Sequence, residues 1–182
     1  ICIKNRRDFD EYGSCENITV TGCVLTSTSC AIKLGSENMD DMRNIIFDSC
    51  VIHGTNRGLG IQNRDEGNIE NVIFSNIIIK GRLFHDVWWG KAEPIHVTAF
   101  KRAPGTRYRF PEGKTEGEVG RGRNIRFSNI LCRSENGIYI SGCQDSRIEE
   151  VLLENVRVEI DKTTEYAGGR YDRRPCDVAG II

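Results

Sequence analysis

The chain has 182 residues, of which 38% are hydrophobic and 28% charged; 25 Lys and Arg stand against 26 Asp and Glu, a formal net charge of −1. This is one domain's worth of ordinary globular composition. The charge balance argues against a nucleic-acid partner held by bulk electrostatics, and no apolar run is long enough to span a membrane. The nineteen glycines suit a fold built of tight turns.

In chain order, residues 1–4 (ICIK) alternate apolar and polar side chains, the period of a strand. One phrase then recurs. Residues 16–25 read ENITVTGCVL, 43–52 RNIIFDSCVI, 70–79 ENVIFSNIII, 123–132 RNIRFSNILC and 149–158 EEVLLENVRV. The steps are 27, 27, 53 and 26 residues, and the third is read as two turns with one phrase missing. A fixed period in the twenties marks a solenoid.

Each phrase holds two short strands. Ile18/Val20, Ile45/Phe47, Val72/Phe74, Ile125/Phe127 and Val151/Leu153 form the first set of inward pairs. The second set is Cys23/Leu25, Cys50/Ile52, Ile77/Ile79, Ile130/Cys132 and Val156/Val158. The bend between the sets carries Gly22, Ser49, Asn76, Asn129 and Asn155, and stacked asparagine amides can hydrogen-bond from rung to rung. Leucine-rich repeats have a similar length but require regular leucines and an outer helix, which this chain lacks.

A third strand closes each turn, at residues 31–35, 59–63, 94–99 and 137–142. There Ile32/Leu34, Leu59/Ile61, Ile95/Val97 and Ile138/Ile140 point inward, so Lys33, Gly60, His96 and Tyr139 form one outward column. Rungs lie about 4.8 Å apart, close to the spacing of substituents on a sugar ring. The expected fold is an all-β, right-handed, single-stranded parallel β-helix of about five to six rungs over 1–182. Residues 1–4 and 179–182 both fit part of a rung, so the chain reads as an uncapped internal segment of a longer protein.

Eight cysteines are present and none forms a CxxC pair, so no zinc site is expected. Cys23 and Cys50 fall at equivalent places in successive rungs, as stacked thiols or as a bridge in an oxidising compartment. Asn17-Ile18-Thr19 has the form of a glycosylation sequon but lies in an expected strand. The long interruption of the repeat, residues 80–123, carries Trp88, Trp89, His85 and His96, with a Pro/Gly/charged stretch from 101 to 123. Loops on a rigid scaffold commonly carry function. Trp88 and Trp89 suit the apolar face of a sugar, flanked by Lys91 and Glu93; the alternative is that the rings cover the side of the helix.

The order of these motifs resembles glycoside hydrolase family 28, the polygalacturonase-like β-helices. In that family one rung carries an Asp-Asp pair running into a strand, the next a Gly-His-Gly and the next an Arg-Ile-Lys. Residues 1–4 with Arg7-Asp8 are similar to the strand after the acidic pair, residues 26–37 to the Gly-His-Gly rung and residues 56–62 to the Arg-Ile-Lys rung. The resemblance implies inverting hydrolysis of a pectic or related plant polysaccharide by paired carboxyl groups, in a secreted or periplasmic monomer without cofactor or metal. Ser29 stands where the family has its histidine, and Gly60 and Gln62 where it has its arginine and lysine. The acidic pair falls upstream of Ile1. Catalytic residues are therefore unassigned within the chain, and a different sugar, or a different subsite, is expected in place of ordinary polygalacturonan.

The expected substrate-binding set is Lys33, Arg57, Gln62, Arg64, Trp88, Trp89, Lys91, Glu93, His96 and Tyr139. Arg57 or Arg64 would replace the lost pair as a bidentate partner for a carboxylate. For Lys33 an ordinary exposed lysine is the alternative, for His96 a structural histidine, and for Asp65-Glu66-Gly67 a solvated turn. Two other functions fit the same scaffold: a catalytically silent carbohydrate-binding β-helix, and a polysaccharide lyase or epimerase.

Overall fold

The computed structural model describes residues 1–6, 13–85, 90–101 and 118–167. Ten strands make one sheet: β1 Cys2–Asn5, β2 Cys15–Thr21, β3 Val24–Asn38, β4 Met42–Asp48, β5 Val51–Asn63, β6 Ile69–Gly81, β7 Ile95–Ala99, β8 Gly122–Ser134, β9 Tyr139–Ser141 and β10 Ile148–Ile160. Every pairing between them is parallel, and the described residues contain no helix. The protein is an all-β parallel β-helix.

The register follows the repeated phrase. Ile18 pairs Ile45, Ile45 pairs Val72, Val72 pairs Ile125 and Ile125 pairs Val151. The third interval is therefore one turn, because β6 hydrogen-bonds directly to β8. The extra residues of that 53-residue step enlarge a single rung, and no phrase is missing. Only the pairing distinguishes a long insertion from two turns.

Inward positions pack as continuous columns. Phe47, Phe74 and Phe127 stack with centroids 5.2 and 5.0 Å apart and rings nearly parallel. Cys50, Ile77 and Ile130 are buried in the core, with Cys23 and Val156 packed against it. Cys23 and Cys50 are free thiols. Burial pushes the Cys132 thiol up to about 12, so it behaves as a small apolar group.

Two asparagine ladders hold the bends. The expected one joins Asn155 to Asn129 and Asn129 to Asn76, at 2.8 and 3.1 Å. At the Ser49 rung it passes to Asp48, whose carboxylate accepts from Ser49, Ser75 and Asn76. The second ladder lies at the start of each phrase: Asn44 donates to Asn17, Asn71 to Asn44 and Asn124 to Asn71, at 3.2, 3.1 and 2.8 Å. All of these asparagines have φ between 50° and 59°, the left-handed region that a short amide side chain tolerates best after glycine. Asn17 lies in β2 as expected, exposed and at a left-handed kink within that strand.

The third strands pair as read. Cys2 lies beside Lys33, Lys33 beside Gly60, Gly60 beside His96 and His96 beside Tyr139. At the corner after them, Asn38 donates to Asn63 and to the Gly67 carbonyl, and Asn63 donates to the Gly120 carbonyl. Asp65 is buried and accepts the Asn38 N–H at 3.0 Å. Asp65 belongs to this corner and is not part of a solvated turn, whereas Glu66 is exposed. Residues 179–182 lie outside the described residues.

Candidate functional site

The outer face of the third strands gathers most of the polar groups singled out in the sequence. It carries Lys33 from β3, Arg57 and Gln62 from β5, His96 from β7 and Tyr139 from β9. Parallel in-register pairing sets these side chains one rung apart, because alternate residues of a strand share a face. Gly60 leaves a gap in the column that its neighbours fill: a Cβ there would lie 2.8 Å from Cys30 Sγ and 3.7 Å from Arg57 Cδ.

The column is covered, not an open groove. Arg57, Gln62, Lys91, Glu93, His96 and Tyr139 are all buried, and Lys33 is half-buried. Part of the cover is the segment from Gly90 to Pro94, which is stitched to β5. Asn56 Nδ2 donates to the Gly90 carbonyl at 3.1 Å, and Asn56 Oδ1 accepts the Ala92 N–H at 3.3 Å. The N–H groups of Gly58 and Leu59 donate to the carbonyls of Glu93 and Pro94.

At the centre lies a buried ion pair. Arg57 donates to Glu93 from Nε at 3.4 Å and from Nη2 at 3.3 Å, and the Lys91 N–H donates to Glu93 Oε2 at 2.7 Å. Burial pushes Glu93 up, yet the Arg57 guanidinium, His96 and the Lys91 N–H outweigh it and hold the carboxyl well below its usual range. The expected role of Arg57 as a fork for a sugar carboxylate is thus corrected, since its fork is bound to Glu93. The physical reason is burial: a guanidinium taken out of water needs a counter-ion within the fold. Glu93 likewise is an internal counter-ion, not a loop charge flanking the tryptophans.

His96 is fully buried, with its ring centroid 5.1 Å from that of Tyr139 and tilted by 35°. Nδ1 lies 3.5 Å from Glu93 Oε1. Burial, reinforced by the Arg57 cation and opposed by Glu93, lowers the imidazole to about 4, so it is neutral at pH 7. Burial also lowers Lys33 and raises the Cys30 thiol to about 11. Neither His96 nor Cys30 is in the protonation state of a charged acid or a thiolate nucleophile near neutrality.

Of the other expected residues, Arg64 sits at the corner after β5, where its N–H donates to Asn38 Oδ1 at 3.0 Å. Trp88 and Trp89 lie outside the described residues. Gly60 and Gln62 lie on β5 within the third strand expected at 59–63, and Ser29 lies on β3 ahead of the strand expected at 31–35. Thr98 was missed, although it is two residues beyond His96 and therefore shares its face; strand parity alone would have found it. Asn56 was missed as well, and no local pattern marks it, because its partners are 34 and 36 residues away.

Two glutamates border the face, and both are engaged: Glu93 with Arg57, and Glu37 with Lys4 at 2.7 Å. No cluster of three metal-ligating side chains occurs among the described residues. The chain was compared with protein-family models, curated proteins and solved structures, and it matches none of them.

Proposed function

We propose that the chain is the saccharide-binding wall of a polygalacturonase-like glycoside hydrolase acting on a pectic or related plant polysaccharide. What supports this reading is the parallel β-helix itself, whose third strands keep Lys33, Gly60, His96 and Tyr139 in one register-aligned outward column, half-buried at Lys33 and buried at His96 and Tyr139. A repeat of about 4.8 Å along that face suits a polymer of rings bearing hydroxyl groups. Inverting hydrolysis needs one protonated and one ionised carboxyl group. Glu93 is held ionised by Arg57, so it is no general acid, and the acid and base of this reading lie outside the described residues.

The locked Glu93 also favours a second reading, a carbohydrate-binding β-helix without catalysis. Two measurements on the protein separate these. Native gels cast with polygalacturonan, rhamnogalacturonan, galactan or arabinan should show retarded migration in at least one, and free migration in all four sinks both readings. Reducing-sugar release from the retarding polysaccharide supports the hydrolase; retardation with no release supports the binder.

A further inference from the structure

We propose that Cys23 and Cys50 form an oxidation site, where a small-molecule disulfide converts two stacked thiols into a bridge that clamps adjacent rungs. The inference is independent of the saccharide reading. The two residues hold equivalent places on successive turns: Val24 pairs Val51, and the Cys23 carbonyl accepts the Val51 N–H at 2.8 Å. On the other side of the pair, the Gly22 N–H donates to the Asp48 carbonyl at 3.3 Å. Backbone hydrogen bonds thus fix the separation of the two residues from both directions. Neighbouring strands lie about 4.8 Å apart, inside the range of about 4.4–6.8 Å between Cα atoms that a disulfide accepts. Both side chains pack against the core, so their Cβ vectors run side by side and not apart. Burial raises the Cys50 thiol, and the Cys23 thiol hydrogen-bonded beside it raises it further.

Packing alone does not call for sulfur at these positions. The same inward column continues with Ile77, Ile130 and Val156, so an aliphatic side chain fills it equally well, and the reactivity of a thiol is what sets it apart. Among the described cysteines, Cys23 and Cys50 are the pair set side by side. Cys2 lies beside Lys33, Cys15 beside Met42, Cys30 beside Arg57, Cys132 beside Ile79 and Val158, and Cys143 opposite Ser146. Both thiols are free, Cys23 half-buried and Cys50 buried, so a reagent meets Cys23 first. The Cys23 thiolate attacks one sulfur of oxidised glutathione, releasing one glutathione and leaving a mixed disulfide. Cys50 then gives its proton to solvent, and its sulfur displaces the second glutathione. Two electrons pass from the thiol pair to the reagent, and two reduced glutathiones form for each bridge. The bridge closes a loop of one full turn and so constrains the unfolded chain.

The test is incubation of the folded protein with oxidised glutathione at about pH 8, where a thiol is partly ionised. Fragmentation mass spectrometry and urea denaturation then read the product. It should have lost about 2 Da with no glutathione attached, carry a link between Cys23 and Cys50, and unfold at a higher urea midpoint than the reduced protein. Reduction with a dithiol should bring the midpoint back. Cys23→Ala removes the attacking thiol and keeps a small apolar group, so oxidation should not raise its midpoint. Cys50→Val puts an aliphatic side chain into the column and should leave glutathione attached at Cys23. A wild-type protein in which Cys23 keeps its glutathione, in which only other cysteines are linked, or in which no thiol is lost would overturn the bridge. A midpoint that rises on oxidation of Cys23→Ala would assign the effect to other cysteines and overturn it as well. A Cys23–Cys50 link that leaves the midpoint unchanged or lower would overturn the clamp.

Discussion

The buried cluster around Glu93 makes its protonation chemistry a stability device. In the folded state His96 is lowered to about 4 and Glu93 is held below its usual range. An unfolded histidine binds its proton near pH 6.5. Below that pH the unfolded chain therefore takes up a proton that the folded chain refuses, and stability falls as pH drops toward 4. Glu93 acts in the same direction at lower pH: its contribution is complete above the unfolded carboxyl value and is lost as pH falls toward the folded one. The His96 term is on the order of 3 kcal/mol between pH 7 and 4. Urea midpoints should decline over that range, and His96→Gln should flatten the part between pH 6.5 and 4. An unchanged slope in the variant would assign the acid sensitivity to other groups.

At the scale of the element, the bends matter as much as the strands. Asn71 shows why the second residue of the phrase is asparagine in four of its five copies. Its φ is 55°, its Nδ2 donates to Asn44 at 3.1 Å and its Oδ1 accepts from Asn124 at 2.8 Å. Asn71→Gly keeps the backbone and loses the hydrogen bonds, which are solvent-exposed and contribute about 0.5–1.5 kcal/mol each. Asn71→Ala loses the same bonds and forces an alanine into the left-handed region, adding about 1–2 kcal/mol. Chemical denaturation should therefore rank wild type above the glycine variant and the glycine variant above the alanine one. Equal stability of the two variants would show that the left-handed bend carries no cost.

At the scale of the whole molecule, the solenoid binds each rung only to its neighbours, so one oversized turn is tolerated where β6 meets β8 with the register intact. Because the described residues contain no helix, far-UV circular dichroism should show a strand-dominated spectrum with less than about a fifth helix, below the share of an average globular protein. A helix-rich spectrum would contradict the fold. The local signals in the chain were enough for this architecture: alternation such as Ile45/Phe47 sets which side chains face inward, and repetition aligns them rung on rung. They also gave the outward column of Lys33, Gly60, His96 and Tyr139, because parity along a strand is a property of neighbouring residues. They did not give the state of that column. Arg57 finds Glu93 from 36 residues away, and Asn56 clasps Gly90 and Ala92 across the enlarged turn. Whether a charge faces a ligand or an internal partner depends on which distant segment folds over it, and the need to neutralise buried charge selected that segment only once the chain was packed.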